Sequence, residues 1–217
     1  MGNGSYGHWS MALLLGFLVS FHAPQAYAGD VSLAPPPQVE VLLADARQNF
    51  DFMTPVVCLR DTAWKSDLLV DALIQVESAG QPRCVGAHGE RGLMQIKQAT
   101  WDQMSLQVFG AQIPFDMAFD PDLNRLLGRA YLTYLSDYLA PYRARWRADE
   151  RTLLLACYNY GPDRVRAAGF NPAQLPGAVM DYARRISDLH DDYLRRSAAP
   201  AEVAMIGTPR LLARAGN

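Results

Sequence analysis

Apolar residues recur along this chain at spacings of three and four, which is the period of helices rather than strands. Between Ser66 and Glu77 they fall at Leu68, Leu69, Ala72, Leu73 and Val76, and Gly80 and Pro82 then predict a stop. Ala79 to Arg91 contains several glycines and reads as a loop, and Gln98 to Val108 predicts a second helix. Asp120-Pro121 opens a long one, with Leu123, Leu126, Leu127, Ala130, Tyr131, Tyr134 and Leu135 on one side. Arg143 to Arg151 reads as a charged, solvated connection. Thr152 to Tyr158 is nearly all apolar, so this short helix should lie at the centre of the core. Pro162 opens another helix that Gly169 ends, and Pro172 and Pro176 bracket a loop. Ala178 to Leu194 is a final amphipathic helix. The pattern predicts one mostly α domain over residues 55–196.

The two ends differ from this middle. Met11 to Phe21 is an apolar run short for a bilayer span, followed by Ala26-Tyr27-Ala28. Residues 1–28 therefore read as a secretory signal peptide with Gly29 as the mature start, and the chain is expected in the periplasm or cell envelope. The first ten residues hold no Lys or Arg, which leaves an uncleaved interfacial anchor as the alternative. Residues 29–54 form a linker, ending in Pro35-Pro36-Pro37, and a helix over Glu40–Phe50. Residues 197–217 lack a period and read as a flexible tail.

Composition narrows the chemistry. The 217 residues are 50% hydrophobic and 19% charged, with a formal net charge of −2. That is ordinary globular composition and offers no basic field for nucleic acid. The spacing of Cys58, Cys84 and Cys157 fits no zinc or haem pattern, so no metal is expected. In an oxidising compartment a Cys58–Cys84 bridge would close a loop around the first helix; three free thiols are the alternative. Cys157, in an apolar helix, reads as a core residue.

The candidate chemistry lies in three blocks. Glu77 stands in the last turn of an apolar helix, where the dipole and partial burial both disfavour a carboxylate and raise its proton affinity. Gln95 stands 18 positions later in Gly92-Leu93-Met94-Gln95-Ile96, a turn that can return an amide beside the acid. The third block is Cys157-Tyr158-Asn159-Tyr160-Gly161-Pro162. Glu90, Asp102 and Asp163 are the other nearby acids, in polar and solvated settings.

In order and spacing these blocks resemble the lytic transglycosylases of the SLT type, which are lysozyme-like enzymes that cleave bacterial cell-wall glycan. The resemblance implies a mostly α, lysozyme-like α+β fold, with a small loop or β-hairpin after the catalytic helix. It implies that Glu77 is the catalytic acid, with Gln95, Tyr158, Asn159, Met94, Ser78 and Tyr182 on the substrate side. Tyr158 is expected to hydrogen-bond and orient the acid. Met94 is expected to pack on the core or a sugar face. The sequence departs from the family at Gly86, where many relatives carry Ser, at Lys97-Gln98 in place of Met-Pro, and at Tyr160 in place of Ala. A Glu-Thr-Arg segment is replaced by Ala178-Val179-Met180.

The implied reaction joins the muramyl 6-hydroxyl to its own anomeric carbon, giving a 1,6-anhydro product, with no cofactor. The alternatives are a lysozyme-like muramidase and a non-catalytic glycan-binding or assembly protein. Peptidoglycan strands are the expected partner of a monomer. A cell-envelope secretion or pilus machine is a further candidate partner.

Overall fold

The computed structural model describes Gln25, Ala26, Val41 and residues 67–198, and it is built almost wholly of helices. In chain order these are α1 (Asp67–Ser78), α2 (Gln98–Phe109), α3 (Pro121–Leu139), α4 (Glu150–Tyr160), α5 (Pro162–Ala167) and α6 (Gly177–Ala198). Two short strands, β1 (Gln25–Ala26) and β2 (Cys84–Val85), pair antiparallel, with Gln25 opposite Val85 and Ala26 opposite Cys84. Arg91 bridges to Val85 on one side and to Ile96 on the other, so the loop after α1 is a small hairpin. β1 lies inside the leader expected from the sequence, and cleavage after Ala28 would remove it. Apart from Val41, the expected linker and helix of residues 29–54 lie outside the described residues, and so does the tail beyond Ala198.

α4 is the centre of the domain. Leu153, Leu154, Leu155, Ala156 and Cys157 are all at most 2% exposed. It packs against α3, α5 and α6, while α6 also covers α1 and α2 lies on α3. The residue pattern places the start of this helix too late, because the charges up to Arg151 suggest a solvated connection. Asp149 caps the helix instead, its carboxylate accepting from the Thr152 backbone N–H at 2.9 Å, and Ala140–Arg145 forms a 3₁₀ turn. Asp120 caps α3 in the same way, accepting from Leu123 N–H at 2.9 Å with Pro121 in the first turn. α1 ends where Ala79 and Gly80 both take positive φ, at 53° and 77°.

One buried polar cluster joins α4 to α6. His190 is fully buried, with Nδ1 3.1 Å from an Arg151 nitrogen. Arg151 also donates to both carboxylate oxygens of Asp191, at 2.6 and 3.2 Å. Burial, and then the Arg151 charge, hold the His190 pKa below its usual 6.5. The neutral ring is therefore the form that the fold stabilises, and protonation favours unfolding. Stability is expected to be full above about pH 6.5 and to fall as the pH drops below it. Denaturant unfolding at pH 7.5 and 5.5 checks this, and His190→Gln should flatten that acid-side loss.

Candidate active site

The turn between the hairpin and α2 is the scaffold of the site. Gly92 has φ 78°, and a Cβ there would collide with the Ala118 carbonyl and the Asn124 amide, so only glycine fits. Three helices hold the next two residues, Leu93 and Met94. Ser78, at the end of α1, donates to the Leu93 carbonyl at 2.8 Å. Asn124, in α3, accepts from the Met94 N–H at 2.8 Å and donates to the carbonyls of Arg91 (3.0 Å) and Ala118 (2.7 Å). Tyr158, in α4, donates to the Met94 carbonyl at 2.7 Å. Met94 itself is fully buried, its sulfur lying where a Cβ at Gly128 of α3 would be.

Glu77 projects from the last turn of α1 and is partly buried. Tyr182 of α6 donates its hydroxyl to Glu77 Oε1 at 2.5 Å. The carboxyl pKa is raised to about 7, first by burial, against the opposing hydrogen bond from Tyr182. The negative charge of Glu90 raises it further, and Arg185 and Lys97 pull the other way. Tyr182 and Tyr158 are both held well above the ordinary phenol value, mainly by burial and then by the Glu77 charge, so each remains a proton donor. The arrangement can keep one carboxyl protonated near neutral pH beside two phenols and a backbone turn.

Several expected roles change here. The acid's phenolic partner is Tyr182 and not Tyr158, whose hydroxyl is taken by the Met94 carbonyl. Ser78 is fully buried, bonded to the Ile74 and Leu93 carbonyls, and positions the turn rather than touching substrate. Met94 packs on the core and presents no face to a sugar. Gln95 sits at φ 46°, a left-handed backbone that costs a non-glycine residue about 1 kcal/mol or more. Its Nε2 donates to the Cys84 (3.1 Å) and Gly92 (2.8 Å) carbonyls, which commits the donors to the loop, and its amide oxygen turns toward Gly86, 2.7 Å from where a Cβ there would stand. Asn159 is exposed on the last turn of α4.

The expected Cys58–Cys84 bridge involves a residue outside those described. Cys84 is a free, fully buried thiol whose pKa is raised by burial and by Glu77, and Cys58 lies outside the described residues. Cys157 is free and buried, as its apolar helix predicted. Among the acids, Asp163 is exposed, accepting from Tyr138 and paired with Arg166. Glu90 differs from its expected solvated setting: its side chain is only 15% exposed.

Comparison with known proteins agrees with this geometry. The family model of the transglycosylase SLT domain matches residues 62–178 of the 217. The chain belongs to the SLT family. Two solved structures share the fold of this SLT domain. One is an inactive mutant of the lytic transglycosylase Slt from Pseudomonas aeruginosa, 21% identical with a TM-score of 0.50, over 76% of this chain and 25% of that one. The other is the 70 kDa soluble lytic transglycosylase SLT70 from Escherichia coli, 23% identical with a TM-score of 0.51, over 61% and 22%. The chain thus spans about a quarter of the length of either protein. No curated protein matches it.

Asn124 does not stand out in the sequence, although a signal exists: it is a polar residue between Leu123 and Leu126 on the apolar side of α3. Its three hydrogen bonds tie the SLT turn to α3, and Asn124→Leu would take the side-chain partner from the Met94 N–H and the Ala118 carbonyl, while the Arg91 carbonyl keeps the Ile96 N–H. We expect a loss of about 2–4 kcal/mol in denaturant unfolding. Tyr182→Phe removes the hydrogen bond that favours the Glu77 carboxylate. The Glu77 pKa should then rise above about 7, as read by NMR titration of the labelled carboxyl.

Proposed function

We propose that this protein is a peptidoglycan lytic transglycosylase that cleaves the β-1,4 bond between N-acetylmuramic acid and N-acetylglucosamine. The observation that carries the reading is the state of Glu77, a partly buried carboxyl with a pKa of about 7 and a phenol 2.5 Å away. An ordinary carboxyl would be ionised at neutral pH and could not give a proton to a glycosidic oxygen.

In the proposed reaction Glu77 protonates the bridging oxygen as the bond from the anomeric carbon breaks. The substrate's N-acetyl group stabilises the developing cation. Glu77, now a carboxylate, takes the proton of the muramyl 6-hydroxyl as that oxygen bonds to the anomeric carbon. The proton count closes, and the product is a 1,6-anhydromuramyl end. An attacking group already within the sugar has a large proximity advantage over water. Tyr182 holds Glu77 in place through both steps, donating to either protonation state. Asn159, exposed at the end of α4, and the Gln95 side chain, partly buried in the turn, are the polar groups proposed to meet the glycan. Export to the periplasm or cell envelope, by cleavage of the leader near Ala28, would bring the enzyme to this substrate. Service as a monomer to a secretion or pilus machine is the narrower version of the same proposal.

A second reading, a muramidase that uses water, draws support from Glu90, a poorly exposed carboxylate close enough to act on Glu77 electrostatically. Mass spectrometry of digested peptidoglycan separates the two. Anhydromuramyl ends are expected, and reducing ends alone would select the hydrolase.

Glu77→Gln should lower wall-clearing activity by about 10²–10⁴-fold. Activity of the parent should decline as the pH rises through about 7, because the proton to be donated is then lost. The same substitution should not harm the fold. Burying a carboxyl whose pKa is raised from 4.5 to about 7 lowers stability as the pH climbs through that range. Glu77→Gln removes this cost, so above pH 7 the variant should be more stable than the parent, by up to about 3 kcal/mol in denaturant unfolding.

A further inference from the structure

The hairpin carries a carboxylate in a place made for it. A side chain at residue 86 would put its Cβ 2.5 Å from Glu90 Oε2 and 2.7 Å from Gln95 Oε1. Glu90 therefore fills room that is open only because residue 86 is glycine. The position does not need glycine for its backbone, since Gly86 is not among the residues with positive φ. Its backbone N–H donates to the Glu90 carbonyl at 2.8 Å, and its carbonyl accepts from Gly89 N–H at 3.1 Å, contacts open to any non-proline residue.

Glu90 is also anchored. Oε2 accepts from the His88 backbone N–H at 3.0 Å, and Oε1 lies 3.8 Å from Lys97 Nζ and 3.7 Å from His88 Nδ1. Gln95, whose oxygen borders the same space, is bonded to the Cys84 carbonyl, and Cys84 in turn is near enough to Glu77 for the acid to perturb its thiol. Each Glu90 oxygen has a donor or cation beside it. That suits a fixed charge better than a group that must seize a proton from water.

We propose that Glu90 is a positioning residue of this site, acting through Glu77, and that Gly86 is the residue that admits it. Its carboxylate, fixed in the hollow beside Gly86, adds a negative field to the burial that keeps Glu77 protonated, and Lys97 moderates that field. The inference rests on Glu77 being the acid. The groups acting on Glu77 come from every neighbouring element: Glu90 and Cys84 from the hairpin, Lys97 ahead of α2, Tyr158 from α4, and Tyr182 and Arg185 from α6. Of these, Glu90 is the anion that opposes ionisation of Glu77.

The experiment measures turnover of purified peptidoglycan against pH, together with the NMR titration of labelled Glu77, for the parent, Glu90→Gln, Glu90→Asp and Gly86→Ser. In Glu90→Gln both the alkaline limb of activity and the Glu77 titration should move to lower pH, by about half a unit or more. Gly86→Ser should move them the same way by displacing the carboxylate, and Glu90→Asp should restore most of the shift. An unmoved Glu77 titration in a folded Glu90→Gln protein would overturn the proposal. So would loss of turnover at every pH with reducing-end products in the parent, which would make Glu90 a base for water. If the NMR titration moves while activity is indifferent to it, the positioning role stands and the assignment of Glu77 as the acid fails instead.

Discussion

Two consecutive peptide groups, at Leu93 and Met94, are gripped by side chains from three helices. Ser78 holds the Leu93 carbonyl, Asn124 the Met94 N–H and Tyr158 the Met94 carbonyl, all within 2.8 Å. Each bond is buried or partly so, where a polar group without a partner is costly. The turn cannot shift without breaking contacts to α1, α3 and α4 together. Since α1 carries Glu77 and the turn carries Gln95, this grip fixes the distance between the acid and the wall opposite it. Gly128 contributes by letting the Met94 side chain drop against the α3 backbone.

Around the acid, opposing effects are set against each other. Desolvation dominates and favours the neutral carboxyl, and Tyr182, Arg185 and Lys97 favour the charged one. The balance comes out near neutrality, so both protonation states of Glu77 are populated around pH 7. The phenol at 2.5 Å does not simply oppose burial. It also fixes the carboxyl's orientation across the gap between α1 and α6, two helices that pack together.

Much of this is legible in the residues themselves. The helical period gives the elements, the apolar run Leu153–Cys157 gives the centre, and the helix-end position of Glu77 gives the direction of its pKa. Pairing over distance is not legible. Tyr182 lies 105 positions from the acid, in a helix whose family segment is altered, whereas Tyr158 sits in a recognisable block and attracts the role. Ser78 and Met94 are misassigned for a related reason. Nearness to Glu77 or Gln95 in sequence does not say which way a side chain turns, and both turn inward. The start of α4 is hidden by charges that one capping aspartate reorganises. Glu90 reads as solvated because nothing in a linear string shows that Gly86 leaves a hollow beside it.

The committed amide of Gln95 has a further consequence. With both its hydrogens spent on loop carbonyls, Gln95 turns only its oxygen toward the space beside Gly86, where a Glu90 oxygen also lies. Two acceptors thus converge where residue 86 has no side chain, and a hydroxyl introduced at that position would find both of them in place of empty room.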